Sequence, residues 1–161
     1  LDSKDDKVLT SLGWAYESLG KKEKALQEIL KAIKLEPFNS LTHYAAGRIQ
    51  SDLGNFDKAL DSLNKAVNLD PEFGDAYYRQ GIAFNNLNES REAISNLLIA
   101  EIVYHKKKKM DLFKKMGEEL KLLFKKYELT RNHFRELQLP DTLKGYDLHK
   151  KAKRIRTSKE K

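Results

Sequence analysis

Covalent chemistry has few candidates in this sequence. The four histidines, His43, His105, His133 and His149, stand far apart. None pairs with another in the HExxH manner, and none shares a ligand spacing with carboxylates. Cysteine is absent, which excludes a disulfide framework, a thiol nucleophile and a Cys-ligated metal. No GxxxxGK phosphate loop and no GxGxxG after a strand occurs. Carboxylates are plentiful, but they fall on the polar sides of helical patterns. Asn88-Glu89-Ser90 has the form of a glycosylation sequon, yet it sits in a tight turn and is read as chance. The sequence therefore predicts no enzyme, no metal and no cofactor. What remains is non-covalent recognition, for which Trp14, Tyr44, Arg48, Tyr78 and Arg79 are the first residues to test. An exposed aromatic is a good anchor because it buries a large area with few rotors.

The elements that must position these residues follow from a repeat. Gly13, Gly20, Ala25, Ala32 and Pro37 recur as Gly47, Gly54, Ala59, Ala66 and Pro71. A third copy reads Gly81, Asn88, Ala93 and Ala100, with His105 in place of the proline. The period is 34 residues (47 − 13 = 34; 81 − 47 = 34). A period of that size marks an array of two-helix units. The first helix is expected over about Asp5 to Leu19, with Leu9, Leu12, Tyr16 and Leu19 as one apolar stripe. Gly13 lies beside that stripe. A glycine costs up to about 1 kcal/mol in a helix interior, so its return implies a close helix approach. Gly20 ends the helix in a left-handed cap.

The second helix is expected over Lys22 to Leu35, with Ala25, Leu26, Ile29, Ala32 and Ile33 facing inward. Pro37 stops it by forcing Glu36 out of the α region. The second unit predicts helices from about Asn39 to Leu53 and from Phe56 onward, with Asn55 as N-cap. The third starts near Gly74, reaches Leu87 and turns at Asn88, a residue that tolerates left-handed geometry. The three units divide the chain at about 6–39, 40–73 and 74–107; the apolar phasing after Ala93 is compatible with one unbroken helix across Lys106 to Lys109, and a turn near His105, by analogy with the other two junctions, is the favoured reading.

The pattern of Leu9, Leu12, Gly13, Tyr16, Ala25, Ile29, Ala32 and Pro37 resembles the tetratricopeptide repeat (TPR). The second unit departs from it at Ala46 and Gln50, and the third at Gln80 and His105. The resemblance implies an all-α, right-handed superhelical TPR solenoid with a C-terminal capping helix. It also implies that the first helices line a concave groove taking an extended or helical peptide. By phase, the groove-facing residues are Lys7, Thr10, Trp14, Glu17 and Ser18, then Leu41, Tyr44, Arg48, Ser51 and Asp52, then Asp75, Tyr78, Arg79, Ile82, Asn85 and Asn86. In the heat-shock co-chaperones of this family, Lys, Asn and Arg side chains grip a C-terminal carboxylate. The matching positions here hold Thr10, Trp14, Ala45, Asp75 and Arg79, and only Arg79 agrees. The carboxylate clamp is missing, so a heat-shock chaperone tail is not the expected ligand. The resemblance implies a protein-interaction scaffold whose partner is a protein or peptide, and the mixed, aromatic groove residues predict recognition mainly through apolar side chains.

Charge is divided along the chain. Residues 1–103 hold 12 Lys/Arg and 16 Asp/Glu, a balance of −4; residues 104–161 hold 19 and 8, a balance of +11. Residues 108–139 carry Met110, Phe113, Met116, Leu120, Leu123, Phe124 and Tyr127 at helical spacing, which predicts an amphipathic cap over the last repeat. Leu139-Pro140-Asp141-Thr142 ends that region and offers an N-cap for a last segment, where Leu143, Tyr146, Leu148 and Ala152 are expected to dock. A basic run from Lys150 to Arg156 completes the 140–161 region. The alternative reading is nucleic-acid or anionic-surface binding through this basic third. A small secretion chaperone, a class that also uses about three repeats, is a third reading, and a homo-oligomer a fourth. No apolar run reaches the roughly 20 residues of a membrane span. The chain opens on Leu1, as expected of a fragment or processed product, and its composition leaves the compartment open, with the cytoplasm favoured.

Overall fold

The computed structural model describes residues 3–145. Seven helices follow one another: α1 Ser3–Ser18, α2 Lys22–Leu35, α3 Ser40–Asp52, α4 Phe56–Leu69, α5 Gly74–Asn86, α6 Ser90–Lys106 and α7 Met110–Lys126. Two 3₁₀ turns, Arg131–Phe134 and Asp141–Leu143, come after them. Among the described residues there is no strand. The architecture is an all-α solenoid in which α1–α2, α3–α4 and α5–α6 form antiparallel hairpins stacked in chain order. Tyr146, Leu148, Ala152, His149 and the basic run 150–156 lie outside the described residues.

The repeated small residues explain how each hairpin closes. A Cβ on Gly13 would stand 2.8 Å from the Ile29 side chain; on Gly47, 2.6 Å from Leu63; on Gly81, 2.6 Å from Leu97. The carbonyls of Ala25, Ala59 and Ala93 lie 3.3, 3.0 and 3.1 Å from the same positions. Each glycine thus receives the large side chain and the backbone of the opposite helix, and Ala25, Ala59 and Ala93 are fully buried at the crossing. The hairpin turns repeat as closely. Gly20, Gly54 and Asn88 have φ of +71°, +78° and +63°. In each case the next amide closes the turn at 2.9 Å: Lys21 onto the Tyr16 carbonyl, Asn55 onto Gln50, and Glu89 onto Phe84. These bonds satisfy carbonyls that a helix end leaves open.

Between hairpins the chain uses different devices. After Pro37, the Asn39 side chain accepts from the amides of Leu41 and Thr42 at 3.1 and 3.3 Å, so Asn39 caps α3 instead of opening it. His43 is buried and its Nε2 meets the Pro37 carbonyl oxygen at 2.8 Å, fixing the loop to the helix it leads into. Asn55 stands at the N-cap position of α4, but its side chain makes no capping bond. Its φ and ψ of −87° and 66° lie away from the extended geometry that a side-chain cap requires. Asp141 and Thr142 likewise form no cap: Pro140 holds that position, and both residues lie inside the 3₁₀ turn.

The third junction lacks a proline, and α6 runs 17 residues where α2 and α4 each run 14. The break falls just after His105, in the lysine run. Lys108 takes φ +56°, and the Lys109 amide bonds the Tyr104 carbonyl at 2.8 Å. This turn has the geometry of the turns inside the hairpins, built on lysine in place of glycine. Lys106 and Lys107 reach back, Lys106 to the Thr142 carbonyl at 2.9 Å and to Glu72, Lys107 to the Glu72 carbonyl at 2.7 Å. Helix α7 then packs its buried Met116 and Leu120 against α6, and Phe134 and Leu143 close the same cluster. Arg131 bonds the mostly buried Glu101 at 2.8 Å and ties the returning segment to α6.

The apolar stripe expected on the first helix is only half used. Leu9 and Tyr16 are partly buried, whereas Leu12 and Leu19 are exposed. Among the described residues no helix packs against that side of α1. Gln50 and Gln80, which depart from the repeat pattern, are buried and meet α4: Ser62 donates to Gln50 at 2.7 Å, and Gln80 donates to Asn64 at 2.6 Å.

Candidate partner-binding groove

Helices α1, α3 and α5 carry the candidate residues at equivalent heights, because positions 34 apart occupy the same place in successive hairpins. Polar side chains link these helices across the face. Arg48 of α3 pairs with Glu17 of α1 through both terminal nitrogens. Arg79 of α5 pairs with Asp52 of α3 at 3.2 Å. All four are partly shielded from water, so the pairs are worth more than fully exposed ones, on the order of 1 kcal/mol. Four predicted groove residues thus spend their charge on one another.

The remaining candidates separate by exposure. Thr10 is buried, as is Ser51, contrary to the expectation that they face a ligand. Thr10 lies two turns before Glu17, on the side of α1 turned toward α3. Tyr44 is partly buried with its ring 4.8 Å from that of Phe73. Asp75 accepts the Tyr104 hydroxyl at 2.6 Å. Burial first, and then this bond, raise the Tyr104 phenol well above its ordinary range.

Tyr78 is half-buried: its hydroxyl donates to Glu119 of α7 at 3.0 Å, and Lys115 sits over its ring at 5.4 Å. Its phenol is pushed up to about 12, by burial before the Glu119 charge and hydrogen bond. Tyr78 is therefore engaged by α7 and not a free anchor. Asn85 is likewise occupied, accepting from the Tyr127 hydroxyl at 2.7 Å and from Lys126.

Trp14 is 42% exposed and Leu41 45%. Lys7 and Asn86 are also exposed, and the Asn86 side chain donates to the Ile82 carbonyl at 2.9 Å. Ile82 shares the register of Trp14 and Arg48 (14 + 34 = 48; 48 + 34 = 82). It is partly buried and lines a cleft of about 160 Å³ with Gly81, Asn85, Leu97, Glu119, Leu122 and Leu123. Helix α7 therefore contributes to this face, which reading it purely as a cap missed. The signal was Leu122, an apolar residue outside the inward stripe of that helix.

The arrangement offers the exposed Trp14 and Leu41 beside two ion pairs, Glu17–Arg48 and Asp52–Arg79. Among the described residues no group of three His, Cys, Asp or Glu is placed to hold a metal ion. No helix among them is long and apolar enough to cross a membrane.

Comparison with known proteins agrees with this geometry. The family model described as tetratricopeptide repeat matches residues 6–39, and the model described as TPR repeat matches residues 47–88. No curated protein matches the sequence. Among solved structures, the type III secretion translocator chaperone SycD of Yersinia enterocolitica is 21% identical with a TM-score of 0.75, covering 80% of this chain and 90% of its own. PcrH, a protein of Pseudomonas aeruginosa, in complex with the chaperone binding region of PopD, is 17% identical with a TM-score of 0.75, covering 79% and 96%. The TPR2B domain of yeast Sti1 in its pHsp70 complex is 21% identical with a TM-score of 0.64, covering 73% and 99%. At these identities the likeness is one of fold.

Proposed function

We propose that this chain, which belongs to the tetratricopeptide repeat family, is a protein–protein interaction scaffold that binds a peptide or partner segment on the face of α1, α3 and α5. The observation that carries the reading is the exposure of Trp14 and Leu41 on a face where Glu17 is paired with Arg48 and Asp52 with Arg79. A ligand there gains little from Glu17, Arg48, Asp52 or Arg79 without breaking an existing pair. It gains most by covering Trp14, Leu41 and the Ile82 cleft, since apolar burial is worth roughly 25 cal/mol per Å². Neighbours of the same fold that hold protein segments, PopD on PcrH and pHsp70 on Sti1, support a protein ligand over a small molecule.

The same geometry argues against the carboxylate clamp. At its positions Thr10 and Ala45 are buried, Asp75 is occupied by Tyr104, and Arg79 is paired with Asp52. A C-terminal carboxylate would meet no uncommitted cation among them. The test is a pull-down with the intact chain beside a Trp14→Ala/Leu41→Ala double variant of unchanged helicity. A specific partner held by the first and lost by the second supports the reading. A partner retained equally by both rejects it.

A further inference from the structure

Helix α7 turns its buried Met116 and Leu120 toward α6, and the opposite side of the helix carries charge. Lys114, Lys121 and Lys125 stand there at i, i+7 and i+11, and all three are exposed. Met110 begins the same line one turn before Lys114 and is 44% exposed. Lys108 and Lys109, exposed in the turn that leads into α7, extend it. Among the described residues none of these five lysines forms an ion pair. The acids on this side of the helix are Asp111 and Glu118, so the face stays positive. The segment that follows α7 returns to the same end of the molecule. Lys106 donates to the Thr142 carbonyl at 2.9 Å, which holds the last described turn beside the lysine run. Residues 146–161, which start from there, hold seven Lys/Arg against two Asp/Glu. The lysine turn, the lysine line of α7 and the origin of the basic segment therefore meet at one end of a solenoid whose residues 1–103 carry a balance of −4.

We propose that this face of α7 is a docking surface for an anionic lipid bilayer, on which the helix lies flat. The charges are complementary: each lysine held near anionic headgroups strengthens binding about fivefold. The opposite charge of the two ends of the chain orients it with α7 toward a negative surface. Met110 favours a bilayer over a nucleic acid. Its exposed side chain enters the boundary between headgroups and acyl chains, where the lysine stems also bury while their ammonium groups stay in water. A phosphate backbone offers Met110 nothing comparable. Proteins that bind single-stranded nucleic acid stack bases on exposed aromatics. Among the described residues from 104 onward, Tyr104, Phe113, Phe124, Tyr127 and Phe134 are all buried or partly buried. The surface is carried by the last helix and excludes Trp14 and Leu41 of the first two hairpins, so it can be tested apart from the groove.

The experiment is flotation of the intact chain with vesicles of phosphatidylcholine alone, and with vesicles in which phosphatidylserine makes up roughly a third of the lipid. Binding is expected to the mixed vesicles and not to phosphatidylcholine alone, and it weakens as salt rises. Lys114→Gln/Lys121→Gln/Lys125→Gln, three exposed changes that keep the helical spectrum and leave residues 146–161 intact, is expected to lower vesicle affinity at least about tenfold. Met110→Ser, which removes no charge, is expected to lower it about threefold or more. The same chain is titrated with a single-stranded and a duplex oligonucleotide at the same salt, and both are expected to bind more weakly than the mixed vesicles. The proposal is overturned by an absence of binding to the mixed vesicles at low salt. It is overturned equally by binding that the triple variant leaves unchanged, since residues 146–161 would then act alone, or by binding that Met110→Ser leaves unchanged. An oligonucleotide bound more tightly than the mixed vesicles would make the occupant a nucleic acid, and overturns it too.

Discussion

Arg48 on α3 holds Glu17 on α1 with both terminal nitrogens of its guanidinium, in an ion pair that bridges two successive repeats. Both side chains are partly shielded, so the pair adds stability where a fully exposed one would add almost none. A Glu17→Gln, Arg48→Met double-mutant cycle is expected to give a coupling of about 1 kcal/mol by urea denaturation, shrinking as salt rises. Zero coupling at low salt would show that the two helices are held by apolar packing alone.

Gly47→Ala is expected to cost about 1–3 kcal/mol through overpacking. The added carbon would meet Leu63 at 2.6 Å and the Ala59 carbonyl at 3.0 Å, and backbone does not yield. Gly81→Ala is expected to behave alike, and Gly13→Ala to cost less, because Ile29 and the Ala25 carbonyl stand farther off at 2.8 and 3.3 Å. Chemical denaturation of the three variants orders them.

Lys108→Gly is expected to stabilise. Lys108 holds φ +56° with a side chain attached, a geometry that costs roughly 1–2 kcal/mol for an L-residue. Glycine removes that cost and adds a smaller one of about 0.5–1 kcal/mol in chain entropy. A net gain of about 0.5–1 kcal/mol is expected, with a matching rise in melting temperature. Glu128→Gly, at φ +54°, is expected to act in the same direction.

Alkali should unfold the array through its buried phenols. Tyr77 and Tyr78 are each pushed up from 10 to about 12, by burial first and then by Asp70 and Glu119 respectively. The folded chain keeps these protons at pH values where the unfolded chain has released them. Their contribution is full below about pH 10 and is lost as pH rises toward 12. Tyr78→Phe is expected to flatten the fall in stability over that window, read as melting temperature against pH.

Much of the fold was legible because it rests on small residues. Gly13, Gly47, Gly81 and the alanines facing them are required by close contact, so their spacing carried the hairpins and the place of each turn. The groove was less legible. Phase put Thr10, Tyr78 and Arg79 on one face, but phase does not tell which polar groups find partners on the neighbouring helix. Tyr78 is claimed by Glu119 and Arg79 by Asp52, contacts that span 41 and 27 residues. Leu12 belongs to the repeat pattern yet is exposed, since burial there depends on a preceding hairpin and not on Leu12 itself. Lys108 in the left-handed region carried no sequence signal, as lysine is not the residue that favours it.

The most direct test of the groove is the affinity of a partner segment captured by the intact chain, measured by calorimetry for the natural chain and for Trp14→Ala/Leu41→Ala at low and physiological salt. The expected result is a loss of at least tenfold, about 1.4 kcal/mol or more, in the double variant, and little dependence on salt for the natural chain. An unchanged affinity in the double variant, or binding that collapses as salt rises, would contradict an apolar groove centred on Trp14.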